Sequence, residues 1–171
     1  MEKEIQRVVP KVAKKQNWFR LVISIIICQS AGIIGSFFTA PAIDAWYKNL
    51  IKPVFNPPSW IFGPVWTLLF LLMGISLYII WQQGLDKKYN KLAFWLFIVH
   101  LGFNTLWSIL FFGLKNPGLA FLEIIFLFLF IIYLILHFCN IDKKAAYLLF
   151  PYLLWVSFAA ILNYSIWQLN L

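Results

Sequence analysis

Residues 116–141 read NPGLAFLEIIFLFLFIIYLILHFCNI, a run of 26 residues between Lys115 and Asp142 that holds a single charged side chain, Glu123. A helix of about 20 residues crosses a hydrocarbon core of ~30 Å. This stretch is therefore long enough to span a bilayer once as a helix and too short to span it twice.

Four further intervals between charged residues have similar lengths, and they cover 21–43, 53–85, 92–114 and 145–171. Each interval holds one spanning helix, which predicts helices at about 20–40, 59–82, 92–114, 118–139 and 146–168. The connections after the first are short, so successive helices are expected to be antiparallel neighbours. The sequence therefore predicts an all-α membrane protein, in which a basic extension (1–19) precedes a five-transmembrane-helix bundle (20–171).

The overall composition agrees with this fold class. Of the 171 residues, 63% are hydrophobic and only 12% are charged, whereas an average soluble domain has roughly a quarter charged residues. The mean hydropathy of +0.83 leaves too little polar surface to coat a water-soluble globule. A soluble enzyme, a nucleic-acid-binding domain and a disordered tail are thereby excluded.

The 14 Lys and Arg side chains predict the orientation in the membrane. Eleven fall in the N-terminal segment, the second loop and the fourth loop, which lie on one side, and only Lys48, Lys52 and Lys115 fall on the other. Positive charge concentrates on the cytoplasmic side of membrane proteins. We expect a multi-pass protein of a bacterial cell membrane, with the N-terminus cytoplasmic and the C-terminus outside. The net charge of +8 then needs no nucleic-acid partner.

Tryptophans and polar residues within the predicted helices indicate a binding site. From the helical rise of ~1.5 Å per residue, Trp66, Trp107 and Trp155 lie inside the bilayer, in one layer of its outer half. Two helix faces join this layer: His100, Asn104, Trp107 and Ser108 on one, and Tyr152, Trp155, Ala159 and Asn163 on the other. An aromatic-walled cavity of this kind suits a flat hydrophobic ligand. Alternatively, each polar residue only forms hydrogen bonds between helices, and Glu123 fits a structural or a functional role equally well.

Small residues recur every four positions in the first helix: Ser24, Cys28, Gly32 and Ser36. Such a face lets another helix approach closely, either inside the bundle or across a dimer. The cysteines form no CxxC pattern, and the chain has no hydrolase triad, phosphate loop or metal-ligand cluster in its sequence. No metal and no required cofactor are therefore expected.

Three motifs in order along the chain resemble the TspO/MBR family of tryptophan-rich sensory proteins, which includes the mitochondrial translocator protein, also called the peripheral benzodiazepine receptor. They are WYKNLIKPVFNPPSWIFGPVW at 46–66, NTLWS at 104–108, and PYLLW at 151–155 followed by Ala159, Leu162 and Asn163. The resemblance extends from about residue 20 to the end. Phe55 and His100 depart from the family's commoner Trp and Gln, and His100 brings a titratable imidazole to the expected pocket floor.

The resemblance implies a five-helix bundle, often a homodimer, that binds porphyrins such as protoporphyrin IX and haem, and in some members cholesterol-like lipids and benzodiazepine-type drugs. The first loop would cover the pocket. By position, the ligand-binding residues would be Tyr47, Pro57, Trp66, His100, Asn104, Trp107, Tyr152, Trp155 and Ala159.

Two functions follow from the resemblance, and a third is the weakest. The first is a protein that senses, scavenges or traffics tetrapyrroles without turnover. The second is a light-dependent oxidoreductase that degrades porphyrin, because Trp66 and Trp155 match the tryptophans implicated in that reaction in bacterial relatives. The third is a small-molecule transporter, which five helices without an inverted repeat make a poor candidate.

Overall fold

The computed structural model describes residues 17–171, and this part of the chain is all-helical. The helices are α1 (Trp18–Ala45), α2 (Phe62–Gln82), α3 (Lys88–Ser108), α4 (Pro117–Cys139), α5 (Lys143–Tyr147) and α6 (Phe150–Leu169). Five spans are long and apolar enough to cross a membrane, and the fifth of them combines α5 and α6. The predicted fold class is thus confirmed. Most of the proposed basic extension, residues 1–16, lies outside the described residues.

Three helix ends differ from the sequence prediction. α1 continues through Pro41 to Ala45 rather than ending at about residue 40, because membrane spans tolerate a proline whose freed carbonyl finds other partners. α3 begins four residues earlier than predicted and continues as a π-helical turn, Ile109–Gly113, which buries Phe111. The fifth span is interrupted at 148–149, just before Pro151 at the start of α6.

The spans pack as a closed ring. α1 lies against α2 and α3, α3 packs on α4, α4 packs on α6, and α5 and α6 return to α2. The centre of the bundle is filled by fully buried apolar side chains, among them Met73, Leu77, Phe97, Ile131 and Leu134. Arg20 at the start of α1 donates to the Trp81 carbonyl oxygen (3.3 Å) at the end of α2, as expected for antiparallel neighbours.

Most of the small residues of α1 face the inside of the bundle, whereas Ser36 is exposed beside the cavity. Ser24 and Cys28 are fully buried, and a Cβ added at Gly32 would lie 2.5 Å from the Phe70 ring of α2. The two backbones also come close at Gly74, where an added Cβ would meet the Ile25 Cα at 2.8 Å. The stripe thus packs within the bundle at Ser24, Cys28 and Gly32, and its role in a dimer stays a prediction.

Candidate functional site

A cavity of about 540 Å³ lies at the end of the bundle where α1 stops and α2 begins. Its walls come from α1, α2, α3 with the π-helical turn, and α6, and the first loop (residues 46–61) borders it through Tyr47, Ser59 and Trp60. Six of the nine predicted site residues line it: Tyr47, Trp66, Asn104, Trp107, Trp155 and Ala159. Most of the aromatic and polar residues that the sequence places at one depth in the bilayer therefore lie around one cavity.

The other three predicted residues lie outside the lining. Pro57 belongs to the first loop, and its carbonyl oxygen accepts a hydrogen bond from Asn56 Nδ2 (2.9 Å). His100 and Tyr152 are 1% exposed and form a second layer behind the cavity wall. His100 is thus separated from the cavity, although the sequence pattern placed it at the pocket floor.

The three tryptophans that the helices contribute to the cavity wall have different partners. Trp107 Nε1 donates to Asn163 Oδ1 (3.0 Å), and its ring stacks on Phe111 at 5.0 Å between centroids. Trp155 packs edge-on against Phe62 (6.0 Å), and its buried Nε1 has no hydrogen-bond partner among the described residues. Trp107 is therefore fixed by the protein, whereas Trp155 retains an unused donor.

Trp66 is connected to a buried polar chain. Its ring lies edge-on to that of Tyr152, with 6.2 Å between centroids. Tyr152 Oη accepts a hydrogen bond from Asn104 Nδ2 (2.9 Å) and lies 2.9 Å from His100 Nε2. The chain Asn104–Tyr152–His100 joins α3 to α6 directly behind the aromatic wall, and it satisfies polar groups that would be costly to bury alone.

The first loop is held in place by specific hydrogen bonds. Tyr47 Oη donates to Asn56 Oδ1 (2.8 Å), and burial raises the pKa of the Tyr47 phenol, which therefore stays neutral and keeps its proton to donate. Asn170, just beyond α6, accepts from the Ile51 backbone N–H (3.0 Å) and donates to the Ile51 carbonyl oxygen (2.9 Å). Lys52 Nζ lies 4.8 Å from the centre of the Tyr47 ring. The loop is thus held by a hydrogen bond within itself and by two hydrogen bonds to Asn170 near the C-terminus.

The sequence analysis missed the contribution of α1 to the wall. Gly32, Gly35, Ser36 and Thr39 all line the cavity opposite α2. The repeat of small residues was the available signal, but it was interpreted only as a packing face. The same small side chains that let α1 approach its neighbours also leave the space of the cavity.

The burial of the Glu123 carboxyl group is accounted for neither by a metal site nor by a polar partner among the described residues. Within residues 17–171, no group of three His, Cys, Asp or Glu side chains is placed to hold a metal ion. Glu123 is 9% exposed on α4, and both carboxyl oxygens lack a hydrogen-bond partner among the described residues. It does not line the cavity, so the wall itself carries no acidic side chain in the described part of the chain.

Comparison with known proteins agrees with the three sequence motifs. The TspO/MBR family profile matches residues 24–168. The chain is 46% identical over 154 residues to the tryptophan-rich protein TspO of Archaeoglobus fulgidus, covering 90% of this chain and 99% of the relative. It is 41% identical over 150 residues to the protein of the same name from Chlorobaculum tepidum, covering 88% and 95%.

A more distant relative is the translocator protein of Ovis aries, which is 33% identical over 154 residues and covers 90% of this chain and 91% of its own. The matches span all five helices and the cavity that they enclose. This chain belongs to the TspO/MBR family.

Proposed function

We propose that the protein binds a flat, hydrophobic tetrapyrrole, such as protoporphyrin IX or haem, in the cavity between α1, α2, α3 and α6. The observation that carries this proposal is the cavity of about 540 Å³ with indoles on three different helices. Its volume falls in the range of roughly 300–1,000 Å³ that is usual for small-molecule sites. The tetrapyrrole is cargo or signal here, and no resident cofactor is required.

The chemistry of the wall supports a planar aromatic ligand. Trp66, Trp107 and Trp155 offer aromatic faces and edges, which favour offset-stacked or edge-to-face contacts with another ring system. Polar groups on the mostly apolar wall come from Asn104, Ser36 and Ser108, among others. Sterol-like lipids and benzodiazepine-type drugs are further candidates for the same space and would compete with the tetrapyrrole.

A cavity-filling variant tests the site. Ala159→Phe places a ring into the cavity, whereas Ile161→Phe adds a ring on the exposed side of the same helix and is the matched control. We expect fluorescence titration with protoporphyrin IX in nanodiscs to show affinity reduced by at least about tenfold for Ala159→Phe, equivalent to about 1.4 kcal/mol. Ile161→Phe should bind like wild type. Equal affinity of Ala159→Phe and wild type would place binding elsewhere.

A second candidate function is light-dependent oxidation of the bound porphyrin. It is favoured by one observation: Trp66 and Trp155 both line the cavity, so a macrocycle bound there would lie beside two indoles that can donate an electron. Porphyrin bleaching under illumination, compared with darkness and with a detergent control, distinguishes this activity from binding alone. A transporter role is the weakest of the three, and a homodimer, which the family resemblance implies, is tested by chemical cross-linking in the membrane.

A further inference from the structure

Tyr152 occupies a position between a cavity tryptophan and a buried base. On its cavity side, its ring meets the edge of Trp66 at 6.2 Å between centroids. On the other side, its hydroxyl lies 2.9 Å from His100 Nε2. Tyr152 and His100 are both 1% exposed, so water does not reach the hydroxyl or the imidazole from outside.

The hydrogen bonds fix where the proton lies between Tyr152 and His100. Asn104 Nδ2 can only donate, so Tyr152 Oη accepts from it. The phenol proton then points at His100 Nε2, which accepts it while His100 carries its own proton on Nδ1. His100 Nδ1 has no hydrogen-bond partner among the described residues in either tautomer, but the opposite tautomer would in addition leave the phenol proton without an acceptor. Tyr152 is therefore a phenol that donates directly to a neutral imidazole.

We propose that Tyr152 and His100 form a relay that takes the oxidising charge away from Trp66 after a photoexcited tetrapyrrole has oxidised it. This inference rests on the second candidate function, the light-dependent oxidation. The excited macrocycle takes one electron from Trp66 and becomes a radical anion, and Trp66 becomes a radical cation. Trp66 then takes one electron from Tyr152, while the phenol proton moves to His100 Nε2. The products are neutral Trp66, a neutral tyrosyl radical and an imidazolium.

The step conserves the charge of the site. One positive charge on the indole is replaced by one on the imidazole, so the total charge of the site does not change. An oxidised phenol is strongly acidic, and a tyrosine is readily oxidised only when a base stands ready to accept its proton. His100 Nε2 is such a base at hydrogen-bond distance, and the proton has to move only from Oη to Nε2.

Other cavity side chains lack this arrangement. Tyr47 also lines the cavity, but its hydroxyl donates to Asn56 Oδ1, an amide oxygen that is a very weak base. Trp155 has ring contacts with Phe62 and Phe158, neither of which can be oxidised in its place. The relay therefore starts at Trp66 and not at Trp155.

Radical spectroscopy on the protein in nanodiscs, loaded with protoporphyrin IX, tests the relay. Samples are illuminated at low temperature, and electron paramagnetic resonance identifies the radical as tyrosyl or tryptophanyl. We expect a tyrosyl radical in wild type and in Tyr164→Phe, the matched control, which changes an exposed tyrosine of the same helix α6 outside the cavity lining. Tyr152→Phe and His100→Gln should show a tryptophanyl radical only. The glutamine can still accept the hydrogen bond from Tyr152 but cannot take its proton, so a purely structural role of His100 would leave the tyrosyl signal intact.

Four outcomes would overturn the relay. A tyrosyl radical that persists in Tyr152→Phe assigns the radical to another tyrosine. A wild-type yield of tyrosyl radical in His100→Gln removes the base from the scheme, and porphyrin fluorescence confirms that this variant still binds. A tryptophanyl radical alone in wild type contradicts the relay but supports photo-oxidation, whereas no protein radical in any of the four proteins contradicts both.

Discussion

Trp107 and Trp155 both line the cavity, but their indole N–H groups differ in hydrogen bonding. The indole N–H of Trp107 is used in a hydrogen bond to Asn163, and Asn163 in turn donates to the Pro117 carbonyl oxygen (2.8 Å) at the start of α4. Trp107 therefore ties α3 to α6 and, through Asn163, to α4. Trp155 connects no helices in this way, since its N–H has no hydrogen-bond partner among the described residues.

Substitution by phenylalanine should lower the free energy of unfolding more at Trp107 than at Trp155. Trp107→Phe leaves the buried Asn163 Oδ1 without its donor, and we expect a loss of about 1–3 kcal/mol in the free energy of unfolding. Trp155→Phe removes a donor that has no partner, so its loss should be smaller. Thermal unfolding of the two variants in detergent, without ligand, measures the difference. An equal or larger loss for Trp155→Phe would contradict the assigned roles.

The sequence predicted which residues lie near the cavity, but it did not predict which of them line it and which lie behind the wall. The helix face of His100, Asn104 and Trp107 was read correctly as facing the bundle. The separation of His100 from the cavity depends on Tyr152, which is 52 residues away in the chain and lies on a different helix. Periodicity gives the direction of a side chain from its own helix, and it contains no information on what stands in front of it.

Among the helices, the positions of the spans were predictable and several of their ends were not. Charged residues mark where the chain leaves the apolar phase, and this rule located all five spans. It has no bearing on hydrogen-bond patterns inside a span, so the passage through Pro41, the π-helical turn at Ile109–Gly113 and the break at 148–149 were missed.

The close contact of α1 with α2 gives a prediction at the level of helix packing. Gly74→Ala would place a methyl group 2.8 Å from the backbone Cα of Ile25, and the two helices must then move apart. We expect a loss of about 1–3 kcal/mol in stability. Gly102→Ala on α3 is the matched control, because an added Cβ there has nothing within 4 Å.

Thermal unfolding midpoints of both glycine variants provide the measurement. Gly102→Ala should equal or slightly exceed wild type, since alanine is the better helix former. If Gly74→Ala unfolds at the wild-type temperature, the approach of α1 and α2 is looser than 2.8 Å implies.

For the whole molecule, the two ends of the bundle have opposite characters. The cavity, Tyr47 and Asn170 lie at one end, and Arg20, Trp81 and the lysine-rich second loop lie at the other. We propose that the basic end faces the cytoplasm, because six of the nine positive side chains within residues 17–171 lie at it. The cavity then lies in the outer half of the bilayer.

Cysteine labelling from outside the cell tests this orientation. After replacement of Cys28 and Cys139, a cysteine is introduced at Asn49 in the first loop or at Lys88 in the second, both of which are exposed. A membrane-impermeant reagent should label the cysteine at 49 in intact cells and reach the one at 88 only after permeabilisation. Labelling in the reverse order would invert the protein in the membrane.

The pair of hydrogen bonds between Ile51 and Asn170 also bears on how the protein is made. The partners are 119 residues apart, so at a synthesis rate of ~5–20 residues per second Asn170 leaves the ribosome roughly 6–24 s after Ile51. During that interval the first four spans can enter the membrane while the first loop still lacks its hydrogen bonds to Asn170. Fastening of the loop is therefore a late event of biogenesis, and a truncated chain that ends before residue 170 never completes it.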